Sequence, residues 1–204
     1  ERNKEAIHNE SKYVFNCMNT DKICIFTDKG KMHTIKAVDI PLGRFRDKGT
    51  PVDNLSNYDS FQERMLYVAP VGQLRSDRLL FVTKTSMCKL VEGAEFDVAK
   101  RTIASTKLAD EDELIFIGSA SEMEQIVLQS HGGCFLRFLA QEVSTMKKTA
   151  LGVRGMKLAD DDYLEHAYLL AGHQEYTISY HDKEYALNKV RLAKRDTKGI
   201  KPRI

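Results

Sequence analysis

The chain has no tryptophan and, over 204 residues, only four prolines and four cysteines. Without tryptophan, no repeat in it can carry the Trp-Asp signature of one large propeller class. Cys17, Cys24, Cys88 and Cys134 form no Cys-x-x-Cys pair and are too sparse for a disulfide framework, which fits reduced thiols in a cytoplasm. No apolar run approaches the roughly 20 residues of a membrane-spanning helix. The opening "ERNKEAIHNE" lacks the apolar core of a secretion signal, so residues 1–10 read as a polar linker or boundary, and no membrane is expected as a partner. An excess of one charge is missing too: 31 Lys and Arg against 29 Asp and Glu leave a formal charge of +2. Binding to a polyanion must therefore come from where charges lie, not from their total.

What is present is repetition. "KLADEDEL" begins at Lys107 and "KLADDDYL" at Lys157, fifty positions later. Four segments share one layout of apolar run, polar turn and second mixed run: "KICIFTDKGKMHTIK", "RLLFVTKTSMCKLVE", "QIVLQSHGGCFLRFL" and "YTISYHDKEYALNKV". They read as four β-hairpins. Aligned on the turn residues Gly30, Ser86, Gly133 and Lys183, they follow one another at 56, 47 and 50 positions. A polar connector follows each hairpin, with Gly49, Thr102, Gly152 and Gly199 in equivalent places, and a further apolar run precedes each: "KYVFNCM", "RMLYVAP", "ELIFIGS" and "EHAYLLAG".

The runs are short and rich in Val, Ile, Phe and Tyr, which favours strands. A helical pattern over "KLADDDYLEHAYLLAG", with Leu164, Ala167, Tyr168 and Ala171 at helical spacing, competes with that reading and is outvoted by the other three units. A four-stranded unit of about fifty residues predicts an all-β, propeller-like array in which each small sheet packs on its neighbours. The expected blades of four antiparallel strands span about 11–55, 62–108, 112–158 and 163–204. Kelch-type double glycines do not recur, since Gly132 and Gly133 occur in one unit only.

Basic residues recur in every connector: Arg44, Arg46 and Lys48; Lys100 and Arg101; Lys147, Lys148 and Arg154; Arg191, Lys194, Arg195, Lys198 and Lys201. If equivalent positions occupy equivalent places on successive blades, these residues form one stripe, extended by Lys29, Lys31, Lys84 and Arg137. The acidic stretches 110–113 and 160–162 recur elsewhere in the unit, which is expected to separate the charges in space. A stripe of this kind fits the phosphate backbone of duplex DNA, contacted with little sequence preference.

Other constellations are weaker. His131 and Cys134 in "HGGC" have a metal-ligand spacing but no second pair, and His33, His166, His173 and His181 are scattered. No phosphate-cradling loop or nucleophile elbow occurs, so no catalytic residue, metal site or cofactor of this segment is expected. Tyr13, Tyr67, Tyr168 and Phe15 are assigned to packing. A protein-interaction scaffold would use an exposed apolar or mixed-charge face instead of the stripe, and a propeller enzyme would need polar residues converging on a central channel.

"GKMHTIKAVDIP", "RDKGTPVDNL", "KRTIASTKLADEDELI", "MKKTALGVRGMKLADDD" and "KRDTKGIKP", in that order, resemble the C-terminal domain of the A subunit of bacterial type IIA topoisomerases, gyrase and topoisomerase IV, over essentially all of 11–204. The resemblance implies a β-pinwheel, as a ring or open spiral whose blades exchange strands, with duplex DNA bent around a basic outer rim. It also implies a homodimer of A subunits together with a partner B subunit that turns over ATP, the cleavage tyrosine and magnesium site lying in an N-terminal part not present here. Family members commonly have five or six blades, against four counted here, and a box of the QRRGGKG type is absent from the 204 residues. These two departures favour the topoisomerase IV type.

Overall fold

The structure is a computed structural model, and it describes residues 2–44, 46–120, 125–172 and 174–202. The polar opening forms α1 (Arg2–Glu10). Thereafter β1 (Lys22–Thr27), β2 (Lys31–Lys36) and β3 (Met65–Pro70) lead to a single turn of helix, α2 (Val71–Leu74). Next come β4 (Arg78–Thr83), β5 (Met87–Glu92), β6 (Thr102–Ala104), β7 (Leu114–Ser119), β8 (Gln125–Ser130), β9 (Phe135–Leu139) and β10 (Val153–Arg154). The chain ends with β11 (Leu164–Leu170), β12 (Thr177–Tyr180) and β13 (Lys183–Ala186).

Four antiparallel sheets result, ordered β3-β1-β2-β6, β10-β5-β4-β7, β11-β8-β9 and β12-β13. Each is built on one of the four hairpins. The first three turns are closed by Gly30 N–H on Thr27 O, Ser86 N–H on Thr83 O and Gly133 N–H on Ser130 O, with the donor at positive φ. The fourth turn is centred on His181 and Asp182, both at positive φ, and Lys183 is already in the strand. A two-residue turn replaces the longer one there, which moves the turn off the aligned position.

The strands flanking the first three hairpins come from the next unit. β3 pairs with β1, β7 with β4 and β11 with β8; β6 pairs with β2 and β10 with β5. The sheets therefore cross the unit boundaries drawn from the repeat. This exchange also accounts for "KYVFNCM". Its counterparts pair with the preceding hairpin, none precedes it among the 204 residues, and it forms no strand: Tyr13 instead donates its hydroxyl to Leu66 O (2.9 Å) and meets Tyr67 edge-on. For the same reason the four sheets are not equal. Among the described residues the outer edge of the third gains only isolated bridges at Leu192 and Ile200, and the fourth has two strands.

The octets that spell the repeat are turns, not helices. Glu111 and Asp161 adopt positive φ, and Leu114 and Leu164 then open β7 and β11. Asp112 accepts the Thr85 N–H and hydroxyl, Asp162 accepts the Gly132 N–H, and Glu63 at the equivalent place accepts the Thr27 hydroxyl. Each carboxylate thus ties an incoming strand to the preceding hairpin turn.

Sheets pack face to face. Cys24, Phe26 and Met32 of the first meet Leu79, Phe81 and Val91 of the second, around Phe96. Leu80, Val82, Cys88 and Leu90 of the second meet Ile126, Leu128, Leu136 and Phe138 of the third, and Val127 and Phe135 of the third meet Leu187 and Val190 beside the fourth. Because the central strands are covered on both faces, their apolar residues run continuously instead of alternating. Burial pushes the Cys24 and Cys88 thiols up to about 12, and all four cysteines are free. β3 and β7 contact each other, as do β7 and β11, so these donated strands lie side by side on the inner edge and the connector strands lie on the outer one.

Two outcomes follow from this packing. At Gly152 (φ +109°) an added Cβ would stand 2.7 Å from Cys88 O, whereas at Gly49 (φ +70°) it would meet nothing. Gly49→Ala should cost about 1–2 kcal/mol of backbone strain and Gly152→Ala distinctly more, as compared by thermal unfolding. Glu63 is almost fully buried against His33, whose Nε2 lies 3.2 Å away. Burial pushes its pKa up, but hydrogen bonds from Thr27 and His33 outweigh this and hold it below the ordinary carboxylate range. Its contribution is therefore complete above the unfolded value of about 4.3 and lost as pH falls through the lower folded value. Glu63→Gln should destabilise by about 1–3 kcal/mol near neutrality, with the gap to the parent closing in acid when unfolding is measured across pH.

Candidate nucleic-acid interface

The connectors are placed by the same exchange. Thr34 N–H donates to Arg101 O at 2.8 Å, Leu90 N–H to Ser144 O at 3.2 Å, and Ala193 N–H to Arg137 O at 2.8 Å. In register from the turn, Thr34, Leu90 and Arg137 are equivalent residues of β2, β5 and β9. The second, third and fourth connectors therefore cross three successive sheets at one place on their outer edge. Lys100 and Arg101, Lys147 and Lys148, and Lys194 and Arg195 lie at or just beyond those crossings.

Polar side chains buried in the second hairpin strands hold the connectors down. Lys89, 1% exposed, points its ammonium at Lys148 O (2.8 Å), Ala150 O (2.7 Å) and Lys147 O (3.4 Å). Three donors meet three carbonyls, the arrangement that makes a buried ammonium tolerable. Burial still pulls its pKa down to about 8, with the Glu95 carboxylate opposing. In the first sheet His33 Nδ1 bonds Thr102 Oγ1 at 3.0 Å, and in the third Arg137 Nη1 binds the carbonyls of Asn188 and Val190. His33 and Lys89 occupy the same register position; Arg137 is one residue further from the turn.

A second device recurs at the connectors. The Lys148 N–H donates to Glu95 Oε2 (3.2 Å) and its ammonium to Glu95 O (2.9 Å), while the Arg195 N–H donates to Glu142 Oε2 (3.0 Å) and its Nε to Glu142 O (3.0 Å). Arg195 also reaches Arg154 O at 2.5 Å. Lys148 and Arg195 are thus held by the fold, whereas their neighbours Lys147 and Lys194 are exposed, Lys147 pairing with Glu95 at 3.3 Å while 81% exposed.

The basic residues expected in one stripe consequently divide. Lys100, Arg101, Lys147, Arg191, Lys194, Lys198 and Lys201 are exposed along connectors two to four. Arg44, Arg46 and Lys48 are exposed too, on a connector that pairs with no strand among the described residues; Arg44 N–H and Asp47 close a local turn there. Arg154 is exposed but paired with Asp196 at 2.5 Å, each charge favouring the other's ionised form. Lys29 and Lys84 both pair with Glu113, at 3.2 and 3.4 Å, and Lys31 pairs with Glu63 at 3.3 Å. Lys29 first, then Lys84, hold the Glu113 carboxyl below its ordinary range, against some burial. Lys198 shares a cleft with Asp160 and Asp162. At these turn lysines and at Lys198 the charges are neighbours rather than separated, because each acidic octet folds onto a hairpin turn. Arg137 faces inward.

The remaining candidates fall elsewhere. His131 stacks on Tyr163 (centroids 4.7 Å), over which Lys84 sits, and the Cys134 N–H donates to Ser130 Oγ at 3.2 Å. Among the described residues no group of three or more His, Cys, Asp and Glu could hold a metal ion. His166 and His181 meet Tyr168 and Tyr180 respectively, and His173 lies outside the described residues. Tyr168 packs with its hydroxyl on Gln129, and Tyr67 packs on Phe26.

The sequence reading did not pick out Lys89, Glu95 or Glu142. One signal was available for the last two: Glu95 precedes Lys148, and Glu142 precedes Arg195, by the same 53 residues. Because Lys148 makes buried-edge hydrogen bonds and Lys147 does not, Lys148→Ala should lower stability by about 1–2 kcal/mol. Lys147→Ala should change it by less than about 0.5 kcal/mol. Chemical denaturation of the two variants checks this.

Comparison with known proteins places this arrangement. The family described as "DNA gyrase C-terminal domain, beta-propeller" matches residues 21–61, 77–121 and 124–171, well over half of the chain. The A subunit of DNA gyrase from Ureaplasma parvum serovar 3 is 27% identical over 184 residues, 87% of this chain and 22% of that protein. The A subunit of DNA topoisomerase 4 from Bacillus subtilis is 30% identical over 155 residues, 74% of this chain and 19% of that protein. The chain thus spans about a fifth of the length of these relatives. A crystal structure of the C-terminal domain of DNA topoisomerase IV superposes with a TM-score of 0.81 at 23% identity, covering 98% of this chain and 66% of that one.

Proposed function

Since the chain belongs to the DNA gyrase A C-terminal domain family, we propose that it binds duplex DNA along its outer edge and bends it there. The observation that carries this reading is the placement of connectors two to four at one register position on three successive sheets, each with exposed Lys or Arg at or beside the crossing. Bending a site of 20–30 base pairs through tens of degrees costs on the order of 1–6 kcal/mol. Phosphate contacts must be spread over several sheets to offset that, and a repeated edge provides the spread. Such contacts release counterions and read no bases.

In this reading the segment works as part of a type IIA topoisomerase in a bacterial cytoplasm, at the nucleoid. It delivers DNA to a homodimer of A subunits whose cleavage tyrosine and magnesium lie outside these residues, and a B-type subunit supplies ATP turnover. The reading covers what gyrase and topoisomerase IV share. A bare scaffold would not require exposed cations to recur at the crossings.

Fluorescence anisotropy with short unrelated duplexes at several salt concentrations tests it. Lys147→Ala combined with Lys194→Ala should weaken binding equally for all duplexes and lower the slope of log affinity against log salt by as much as about 1.8, about 0.9 per lost contact. Lys29→Ala, at a hairpin turn away from the connector crossings and half-exposed beside Glu113, should change the slope far less. Parent-like affinity and slope in the double variant, with a native circular dichroism spectrum, would overturn the reading.

A further inference from the structure

Two carboxylates sit where an edge for polyanions should exclude them. Glu95 and Glu142 lie in the single helical turns 93–96 and 140–142 that follow the second and third hairpins. Each accepts the backbone N–H of the second basic residue of the next connector, at 3.2 Å for Lys148 and 3.0 Å for Arg195. Each also receives that residue's side chain on its own carbonyl, at 2.9 and 3.0 Å. The geometry is reproduced one unit apart with different side chains, an ammonium in one case and a guanidinium in the other. What repeats is the backbone fixation, so the carboxylate acts on the connector's path more than on one charge.

Coulomb repulsion says that these carboxylates should weaken DNA binding. They lie within reach of the exposed cations: Glu95 Oε1 is 3.3 Å from the Lys147 ammonium. Fixing the connector works in the opposite direction, because a flexible cation loses conformational freedom when it settles on a phosphate and a fixed one loses less. Lys89 supports the same connector from beneath, on the carbonyls of Lys147, Lys148 and Ala150. Once a phosphate reaches Lys147, the exposed ion pair to Glu95 can open at little cost, while the buried-side bonds to Lys148 stay.

We propose that Glu95 and Glu142 are positioning residues for DNA binding, which order the connectors so that Lys147 and Lys194 meet phosphates. This rests on the DNA-binding reading above. It separates from a plain charge effect by sign. Glu95→Gln keeps an oxygen acceptor for the Lys148 N–H and removes the negative charge; Glu95→Ala removes both.

The test uses the 204-residue chain, a short duplex and anisotropy titration at several salt concentrations, with hydrogen exchange at the Lys148 amide. Glu95→Gln should bind as tightly as the parent or more tightly and keep the amide protected. Glu95→Ala, despite one more net positive charge, should bind roughly three- to tenfold more weakly, the effect of about one lost phosphate contact, with the amide exchanging at least tenfold faster. Binding by Glu95→Ala as tight as by Glu95→Gln would overturn the proposal, leaving charge as the whole effect. Unchanged binding by Lys147→Ala would overturn the DNA reading at this connector, a result distinct from the Glu95 comparison. Should Glu95→Ala fail to fold, the pair Glu142→Ala and Glu142→Gln decides by the same criterion. Failure of both alanine variants to fold would assign the carboxylates to stability alone and overturn the proposal.

Discussion

Everything in this molecule depends on the pairing of one unit's connector with the preceding unit's second hairpin strand. The hydrogen bonds from Thr34 and Leu90 and onto Arg137 close the outer edge of the first three sheets, and the donated runs Met65–Pro70, Leu114–Ser119 and Leu164–Leu170 close their inner edge. An isolated two-stranded hairpin is barely stable in water, and an open edge invites pairing with other chains. Exchange solves both problems while it joins the sheets. It also forces the backbone close: at Gly152 and Gly199 the chain passes so near Cys88 and Phe135 that only glycine fits, at φ values that favour it.

The inward-turned cations belong to the same constraint. A connector that leaves the ladder after two or three residues exposes carbonyls toward the sheet, and those carbonyls need donors. Lys89 and Arg137 supply them from below. The apolar strand could have closed over a neutral residue only if the connector had found its partners elsewhere. The exposed and the inward-turned basic residues therefore differ: the second satisfy the connector's carbonyls, and the first reach solvent.

Much of this was legible in the sequence, because repetition amplifies weak local signals. One run such as "EHAYLLAG" is ambiguous between helix and strand; beside "RMLYVAP" and "ELIFIGS" in register it is not, and only "KYVFNCM", with no hairpin before it among these residues, departs. The hairpins, the turn glycines Gly30 and Gly133, and the basic connectors all follow from that. Which hairpin a run joins did not follow, since a periodic pattern looks the same whichever neighbour it is assigned to, and the runs join the hairpin before them. Nor could Lys89 and Arg137 be told from surface residues: strand alternation marks a face, but here both faces are covered. The pairing of Lys29 and Lys84 with Glu113 spans up to 84 residues and has no local trace.

The direction of exchange gives the fold an order in time. The first sheet's hairpin is complete at Lys36, but its inner neighbour arrives only at Met65 and its outer one at Thr102; the second sheet waits likewise for Leu114 and Val153. On a ribosome, each blade must hold a half-built hairpin while about sixty further residues emerge, and then be finished by the chain that begins the next. Growth is vectorial, and each unfinished edge is closed by a later stretch of the chain.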